Sequence, residues 1–138
     1  MSSEILNAMA ISASGMQAQG TRLRVISENI ANAGTTGNTP GADPYTRQTI
    51  IFKNELDRAL DVNRVQVKDI ENDVQTPFSE KYMPDHPGAD ERGYVKFPNV
   101  NVLIEMMDSR EAQRSYEANL GMIDQSRGMV QRTIDLLR

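Results

Sequence analysis

Residues 102–137 run for 36 positions without a proline, and no other stretch restricts the possible folds as much. Read in sevens, its first and fourth positions are Val102, Met106, Ser109, Gln113, Tyr116, Leu120, Ile123, Arg127, Val130, Ile134 and Leu137. Eight of these eleven are apolar or aromatic, which predicts one continuous amphipathic helix. At 1.5 Å per residue such a helix spans roughly 54 Å, too long to cap a compact domain of this size. A second stripe (Ile104, Met107, Ala118, Met122, Met129, Leu136) lies on another face. One partner helix cannot cover both, so the pattern requires several neighbours.

A second helical stretch runs from Ile5 to Ala33. Leu6, Met9, Ala13, Met16, Gly20, Leu23, Ser27 and Ile30 follow heptad spacing in it. Ser2 or Ser3 is placed to cap it, with Glu4 at the positive end of the helix dipole. Between Glu4 and Arg22 there is no charged residue. A solvated helix carries charge on its outer face; a small, uncharged surface suits close approach by other helices. Gly34 is positioned for a left-handed helix end, and residues 35–44 carry two prolines and two more glycines, a loop.

Between the helices the chain changes character. Tyr45 to Lys53 is rich in strand formers and predicts a strand; Asn54 to Leu60 reads as a short helix or loop. Val62 to Ile70 alternates at Val65 and Val67 and predicts a second strand. Two strands alone are marginal and need cover from a helix or another subunit. Four prolines between Pro77 and Pro98 predict extended, irregular chain, with a short strand at residues 93–96. Asn99 or Asn101 then caps the long helix.

The chemistry on offer is sparse. With no cysteine there are no disulfides, thiolate metal sites or cysteine nucleophiles. Fifteen basic against nineteen acidic residues, net charge −4, form no dense basic patch, which argues against nucleic-acid binding. No 18-residue apolar run exists and the N-terminus lacks signal-peptide character, so neither membrane insertion nor a cleaved signal is expected. The one histidine, His86, has no serine in a nucleophile-elbow context. Asp85, His86, Asp90 and Glu91 lack a metal-ligand spacing and read as a solvated loop. Glu105 and Asp108, one turn apart, read as helix-surface carboxylates as readily as an acid–base pair. No phosphate loop occurs. Arg110, Arg114, Arg127 and Arg132 read as salt-bridge or interface residues, Arg127 at a seam position where a charge fixes register at a cost in stability. No catalytic, cofactor-binding or metal site is expected.

Several stretches resemble a known family. Ile11 to Gln19, then Leu23 to Ala33 with Thr35, is similar to the N-terminal signature of bacterial flagellar rod and hook proteins. His86 to Asn101, Glu105-Met-Met-Asp108, Arg114 to Leu120 and Pro44 to Gln48 resemble the basal-body rod proteins of the proximal rod. The resemblance leaves residues 54–76 unmatched. It implies a non-enzymatic subunit of the drive shaft, exported through the flagellar type III apparatus without signal cleavage, with terminal helices forming the inner tube around the export channel. It also implies as partners further copies of itself, other rod proteins, the rod-to-rotor adaptor and export-gate components.

The expected fold is mainly α with a small β-rich insert, its long N- and C-terminal helices paired as a coiled coil and assembling into a helical tube. Residues 1–34 and 100–138 form the core coiled-coil domain and 35–99 the insert. The expected assembly interface comprises Leu6, Met9, Ala13, Met16, Leu23, Ile30, Met106, Tyr116, Leu120, Ile123, Val130, Ile134 and Leu137. A soluble helical adaptor or secretion chaperone is the alternative, disfavoured by the uncharged residues 5–21. A wall-degrading enzyme would need a catalytic carboxylate in a cleft, for which the insert is poor material.

Overall fold

A computed structural model describes residues 2–137 and builds them into six elements, α1 (Ser2–Ala31), β1 (Gln48–Asp57), β2 (Val62–Asn72), β3 (Ser79–Tyr82), β4 (Tyr94–Phe97) and α2 (Val102–Leu136). The strands form two separate two-stranded sheets, β1–β2 and β3–β4. The chain is therefore mainly α with a small β insert. No helix among the described residues is long and apolar enough to cross a membrane. The elements contribute to two compact units, one formed by α1 up to Leu23, residues 51–69 and α2 from Arg110, the other by residues 24–50 and 70–109.

In the first unit, α1 and α2 lie side by side and antiparallel. Asn119 sits over Gly15, so closely that a Cβ at Gly15 would stand 2.8 Å from Asn119 Nδ2. Two turns further along α1 and two turns back along α2, Arg22 pairs with Glu111 at 3.7 Å. The buried residues here are small: Ser12, Ala18, Ala112 and Ser126. The Ser126 hydroxyl is satisfied within its own helix, donating to the Met122 carbonyl at 2.8 Å. The β1–β2 hairpin turns at residues 58–61, where Asp57 Oδ1 accepts from the Ala59 and Leu60 amides at 2.9 and 3.3 Å. Asp61 closes the turn at φ 51°, a conformation aspartate tolerates better than most residues. Arg64 pairs with Asp57 across the hairpin, and Asn7 Nδ2 donates to the Leu60 carbonyl at 3.3 Å, tying the turn to α1.

Residues 54–57 thus extend β1 rather than forming a helix. The strand also starts later than expected, at Gln48, because Tyr45 and Arg47 are engaged elsewhere. α1 runs through Ser3, which lies inside the helix and does not cap it. Gly34 is not left-handed; among the described glycines only Gly41 and Gly93 have positive φ. The end of α1 is closed by Asn32 instead, whose amide and Nδ2 both donate to the Glu28 carbonyl, at 3.0 and 2.9 Å.

In the second unit, Val25, Ile26 and Val95 are buried. β3 pairs antiparallel with β4, in register Ser79↔Phe97, Glu80↔Lys96, Lys81↔Val95 and Tyr82↔Tyr94. β3 was hidden in the sequence because Pro77 and Pro84 bracket it. The four-residue strand fits between them, and each proline falls outside the ladder, where its missing N–H costs nothing. Tyr82 and Tyr94 meet edge-to-face at 5.4 Å, and the Lys81 ammonium lies 4.4 Å over the Phe97 ring. The connecting loop is held by Asp90 Oδ1, which accepts from the Arg92 and Tyr94 amides, and by Gly93 at φ 82°.

Two loops meet backbone to backbone in this unit. A Cβ at Gly88 would overlap the Gly37 carbonyl oxygen. His86 braces the contact. Its Nδ1 accepts from the Gly88 amide at 3.0 Å, so in the neutral ring Nε2 carries the proton and donates to Thr36 Oγ1 at 3.3 Å. Gly88→Ala should therefore cost about 1–3 kcal/mol, because the obstacle is backbone and not a side chain that can swing away. Gly34→Ala, which meets nothing within 4 Å, should be neutral or stabilising by under about 1 kcal/mol. Denaturant melts of the two variants beside the parent chain test the contrast.

Candidate functional site

The seam between the helices is displaced by one residue from the expected heptad positions. On α2 the fully buried side chains are Glu105, Ala112 and Ser126, seven or fourteen apart. The neighbouring heptad positions Met106 and Leu120 are exposed, as are Val130, Ile134 and Leu137; Tyr116 and Ile123 are half-buried. On α1 the buried positions include Ser12, Ile26 and Asn29. Leu6 and Ala13 are exposed, whereas Met9, Met16, Leu23 and Ile30 are half-buried. Arg127 is exposed and not in the seam. Hydrophobicity alone does not locate this seam, because close approach selects for small side chains. Ser12, Gly15, Ala112 and Ser126 let the backbones come together, and the bulkier residues one position away are turned outward.

What is left outside is an apolar surface. Leu103, Met106 and Met107 near the start of α2 are 68, 52 and 64% exposed, and Leu136 and Leu137 at its end are 87 and 84% exposed. The second stripe is largely outward too, with Ile104, Met122 and Met129 all exposed. Every residue from Arg127 to Leu137 is exposed. An apolar surface this extensive marks an interaction face.

The second unit contains the polar counterpart. Glu105 lies one turn into α2, with its side chain 1% exposed; it is not a surface carboxylate. Its Oε1 accepts from Arg47 Nε at 2.6 Å, and its Oε2 from Asn29 Nδ2 at 3.2 Å. Asn29 uses its whole amide. Nδ2 also donates to the Gln48 carbonyl at 2.8 Å; Oδ1 accepts from the Gln48 amide and the Tyr45 hydroxyl, both at 2.9 Å. The side chain thereby acts as a strand partner for the first residue of β1 and holds that strand to α1.

Arg47 and Asn99 extend the node. The Arg47 amide donates to Asn99 Oδ1 at 2.8 Å, and Asn99 Nδ2 donates to the Asp73 and Thr76 carbonyls at 2.8 and 3.0 Å. The Arg47 guanidinium also reaches Asp73 at 3.8 Å and Asp108 at 3.9 Å. With Asn99 so occupied, capping of α2 falls to Asn101, whose Oδ1 accepts from the Leu103 and Ile104 amides. Burial, and then the charges of Glu28 and Glu105, push the Tyr45 hydroxyl up from its ordinary value, which keeps the donor to Asn29 protonated. Asp73 is held below the usual carboxylate range. The Thr76 hydroxyl and amide are the leading cause, and the Gln75 amide and Arg47 add to it.

This node has no catalytic geometry: each polar group is consumed by another group of the chain. Among the described residues, no three His, Asp or Glu side chains gather to hold a metal. The sequence hint to Glu105 is that it is the lone carboxylate in Val102-Leu-Ile-Glu-Met-Met107, where a charge needs a partner. What could not be read is that the partner is Arg47, 58 residues away.

Asn29, Tyr45, Arg47, Asn99 and Glu105 all fall in or beside the stretches that carry the flagellar resemblance, and the fold brings them to one place. Comparison with known proteins agrees. Residues 9–42 match the family described as flagella basal body rod protein, and residues 91–136 match the flagellar basal body rod FlgEFG protein C-terminal family. The flagellar basal-body rod protein FlgC of Agrobacterium fabrum is 56% identical over 131 residues, covering 95% of this chain and 94% of the relative. The chain belongs to the FlgC family of flagellar basal-body rod proteins. FlgC of Borreliella burgdorferi is 36% identical over 97% of this chain and 98% of its own. FlgC of Escherichia coli O6:H1 is 35% identical over 96% of this chain and 97% of its own.

Two outcomes follow for this FlgC-family chain. Glu105→Ala leaves Arg47 and Asn29 facing a cavity and should cost about 3 kcal/mol, at the low end for a broken buried pair because Arg47 is 25% exposed. Hydrogen exchange should then rise at the amides of Arg47 and Gln48 more than in α2 beyond Arg110. The lowered Asp73 pKa gives stability that is fully present above the ordinary value of 3.8 and is lost as pH falls through the lower folded value. Asp73→Asn should reduce stability at neutral pH and flatten that acid limb, as read from denaturant midpoints across a pH series.

Proposed function

We propose that the chain is a structural subunit of the proximal part of the bacterial flagellar basal-body rod, the drive shaft that transmits torque and encloses the export channel. The observation that carries this is the distribution of apolar surface. Within the chain the helices meet through small and polar residues, while Met106, Leu120, Val130, Ile134 and Leu137 are left to solvent. A monomeric adaptor gains nothing from exposing them; a subunit that buries them against neighbours does. The full-length relatives supply the place, since each is described as a basal-body rod protein.

In this reading residues 1–34 and 100–138 form the core domain, paired as a coiled coil and packed with neighbouring copies into a helical tube. Residues 35–99 form the insert, farther from the axis. The heptad spacing of Glu105, Ala112 and Ser126 supports the coiled-coil pairing. The subunit does no chemistry. Its resistance to twist comes from ladders of helix contacts that must shear together, and its partners are copies of itself, adjoining rod proteins, the rod-to-rotor adaptor and the export gate. It reaches the periplasm-spanning rod through the flagellar type III route without signal cleavage.

Single substitutions on the outer face test this. Leu120→Asp and Ile123→Asp should both abolish incorporation into basal bodies, and swimming with it. Leu120 is the cleaner probe, because it is 42% exposed and the isolated chain should keep its helicity. Detection of Leu120→Asp in purified basal bodies at the parent level would overturn the assignment of this face.

A further inference from the structure

We propose that His86 is an acid-sensitive latch between two loops, residues 35–44 and residues 84–91. The neutral ring holds them together, and protonation of the ring releases them. The latch lies within the second unit and does not depend on the rod-subunit reading.

Histidine is the side chain whose ordinary protonation falls near neutral pH, and His86 is the only one in the chain. Its two nitrogens have opposite duties. Nδ1 accepts from the Gly88 amide at 3.0 Å, and Nε2 meets Thr36 Oγ1 at 3.3 Å. A ring that accepts at Nδ1 is neutral, because imidazolium carries a hydrogen on both nitrogens and offers no acceptor. Protonation therefore sets an Nδ1–H against the Gly88 N–H. Gly88 is buried, so its amide has no water to turn to and goes unpaired. Nor can Gly88 back away, since it lies so close to Gly37 that an added Cβ would overlap the Gly37 carbonyl oxygen. The conflict ends only if the ring swings out or the loops part. An open groove of about 340 Å³, lined by Met83, Pro84, Asp85, His86 and Pro87, gives the charged ring a place to go. Exposed Asp85 supplies a counter-charge there.

The other charged groups of the two loops are committed elsewhere or face solvent. On residues 35–44 the one titratable side chain is Asp43, paired with Lys96 Nζ at 3.0 Å. On residues 84–91, Asp90 accepts from the Arg92 and Tyr94 amides. The Tyr94 amide is the leading cause that holds Asp90 below the usual carboxylate range, so it stays charged in mild acid. Glu91 is exposed. The closed contact binds one proton fewer than the open one, so it is favoured as pH rises and lost as pH falls. Opening stays local, because Tyr45 pins the base of the first loop without His86. Its amide donates to the Thr35 carbonyl at 3.1 Å, and its hydroxyl to Asn29 at 2.9 Å.

Hydrogen exchange of the full chain, read by mass spectrometry at pH 5 and pH 8 with labelling times scaled for the intrinsic rate, tests the latch. On the scaled clock, parent peptides covering residues 35–43 and 85–93 should exchange about tenfold faster at pH 5, the loss of one buried hydrogen bond. Peptides from β1 should not change. In His86→Asn the side-chain Oδ1 replaces Nδ1 as acceptor from the Gly88 amide and does not titrate. Both loops of that variant should stay slow at both pH values. Parent loops equally slow at pH 5 and pH 8, or a His86→Asn chain that responds to pH as the parent does, overturns the latch. So does a His86→Asn chain open at both values, which puts the holding force on Thr36 and not on Nδ1. Equal acceleration at the start of α2, residues 102–109, means general unfolding in acid and overturns it too.

Discussion

A carboxylate with 1% of its surface exposed is tolerable only if its charge is answered, and much of the second unit follows from how Glu105 is answered. Arg47 supplies the charge and Asn29 the second hydrogen bond. Fixing Arg47 fixes the residue that leads into β1; fixing Asn29 pairs α1 with the first residue of that strand. Asn99 takes the Arg47 amide and passes the constraint to the turn at Asp73. The node is a closed network in which each named donor has an acceptor, the condition under which a buried polar cluster specifies one arrangement. Its value lies in direction: hydrophobic contacts tolerate sliding, whereas a bidentate amide on a backbone does not.

That choice has a consequence for the rest of the molecule. With small and polar residues in the helix seam, the chain keeps little apolar surface for its own interior. The fully buried aliphatic and alanine side chains in the described residues are Ala18, Val25, Ile26, Val95 and Ala112. The larger apolar groups lie outward along α1 and α2. For a monomer this distribution is unfavourable, exposing leucine and methionine while burying serine and asparagine. For a subunit in a packed array it is economical. Directional bonds set each chain's shape, and the non-directional hydrophobic effect, which tolerates small adjustments of neighbour geometry, is kept for the joints between chains.

The helices and their approximate ends were legible from the sequence, because periodic apolar residues uninterrupted by proline from Val102 onward leave a chain few alternatives. So was the β character of residues 48–53 and 62–70, where β-branched residues cluster. β3 was not legible, since Ser79-Glu-Lys-Tyr82 has neither alternation nor β-branching and becomes a strand only by pairing with Tyr94–Phe97. The left-handed cap expected at Gly34 does not form: a glycine signal is strong locally, while the Asn32 bond that closes the helix depends on its geometry. Which face the two helices share within the chain was not legible for a similar reason. Counting hydrophobic residues finds the stickiest face, and the face that two helices of one chain share is decided by how near their backbones can come.

What the sequence determined by itself was therefore the kind of molecule: two long helices with too much apolar surface for one chain, a first helix without charge from residue 5 to residue 21, and segments that belong to the flagellar rod family. These are properties of composition and period, carried by neighbours within a few turns. Only the tertiary structure decided that Glu105 is buried and that Asn29, Arg47 and Asn99 converge on one node. Those facts join residues 26 to 76 positions apart, and partnership over such distances is set by the path of the whole backbone. No local pattern encodes it.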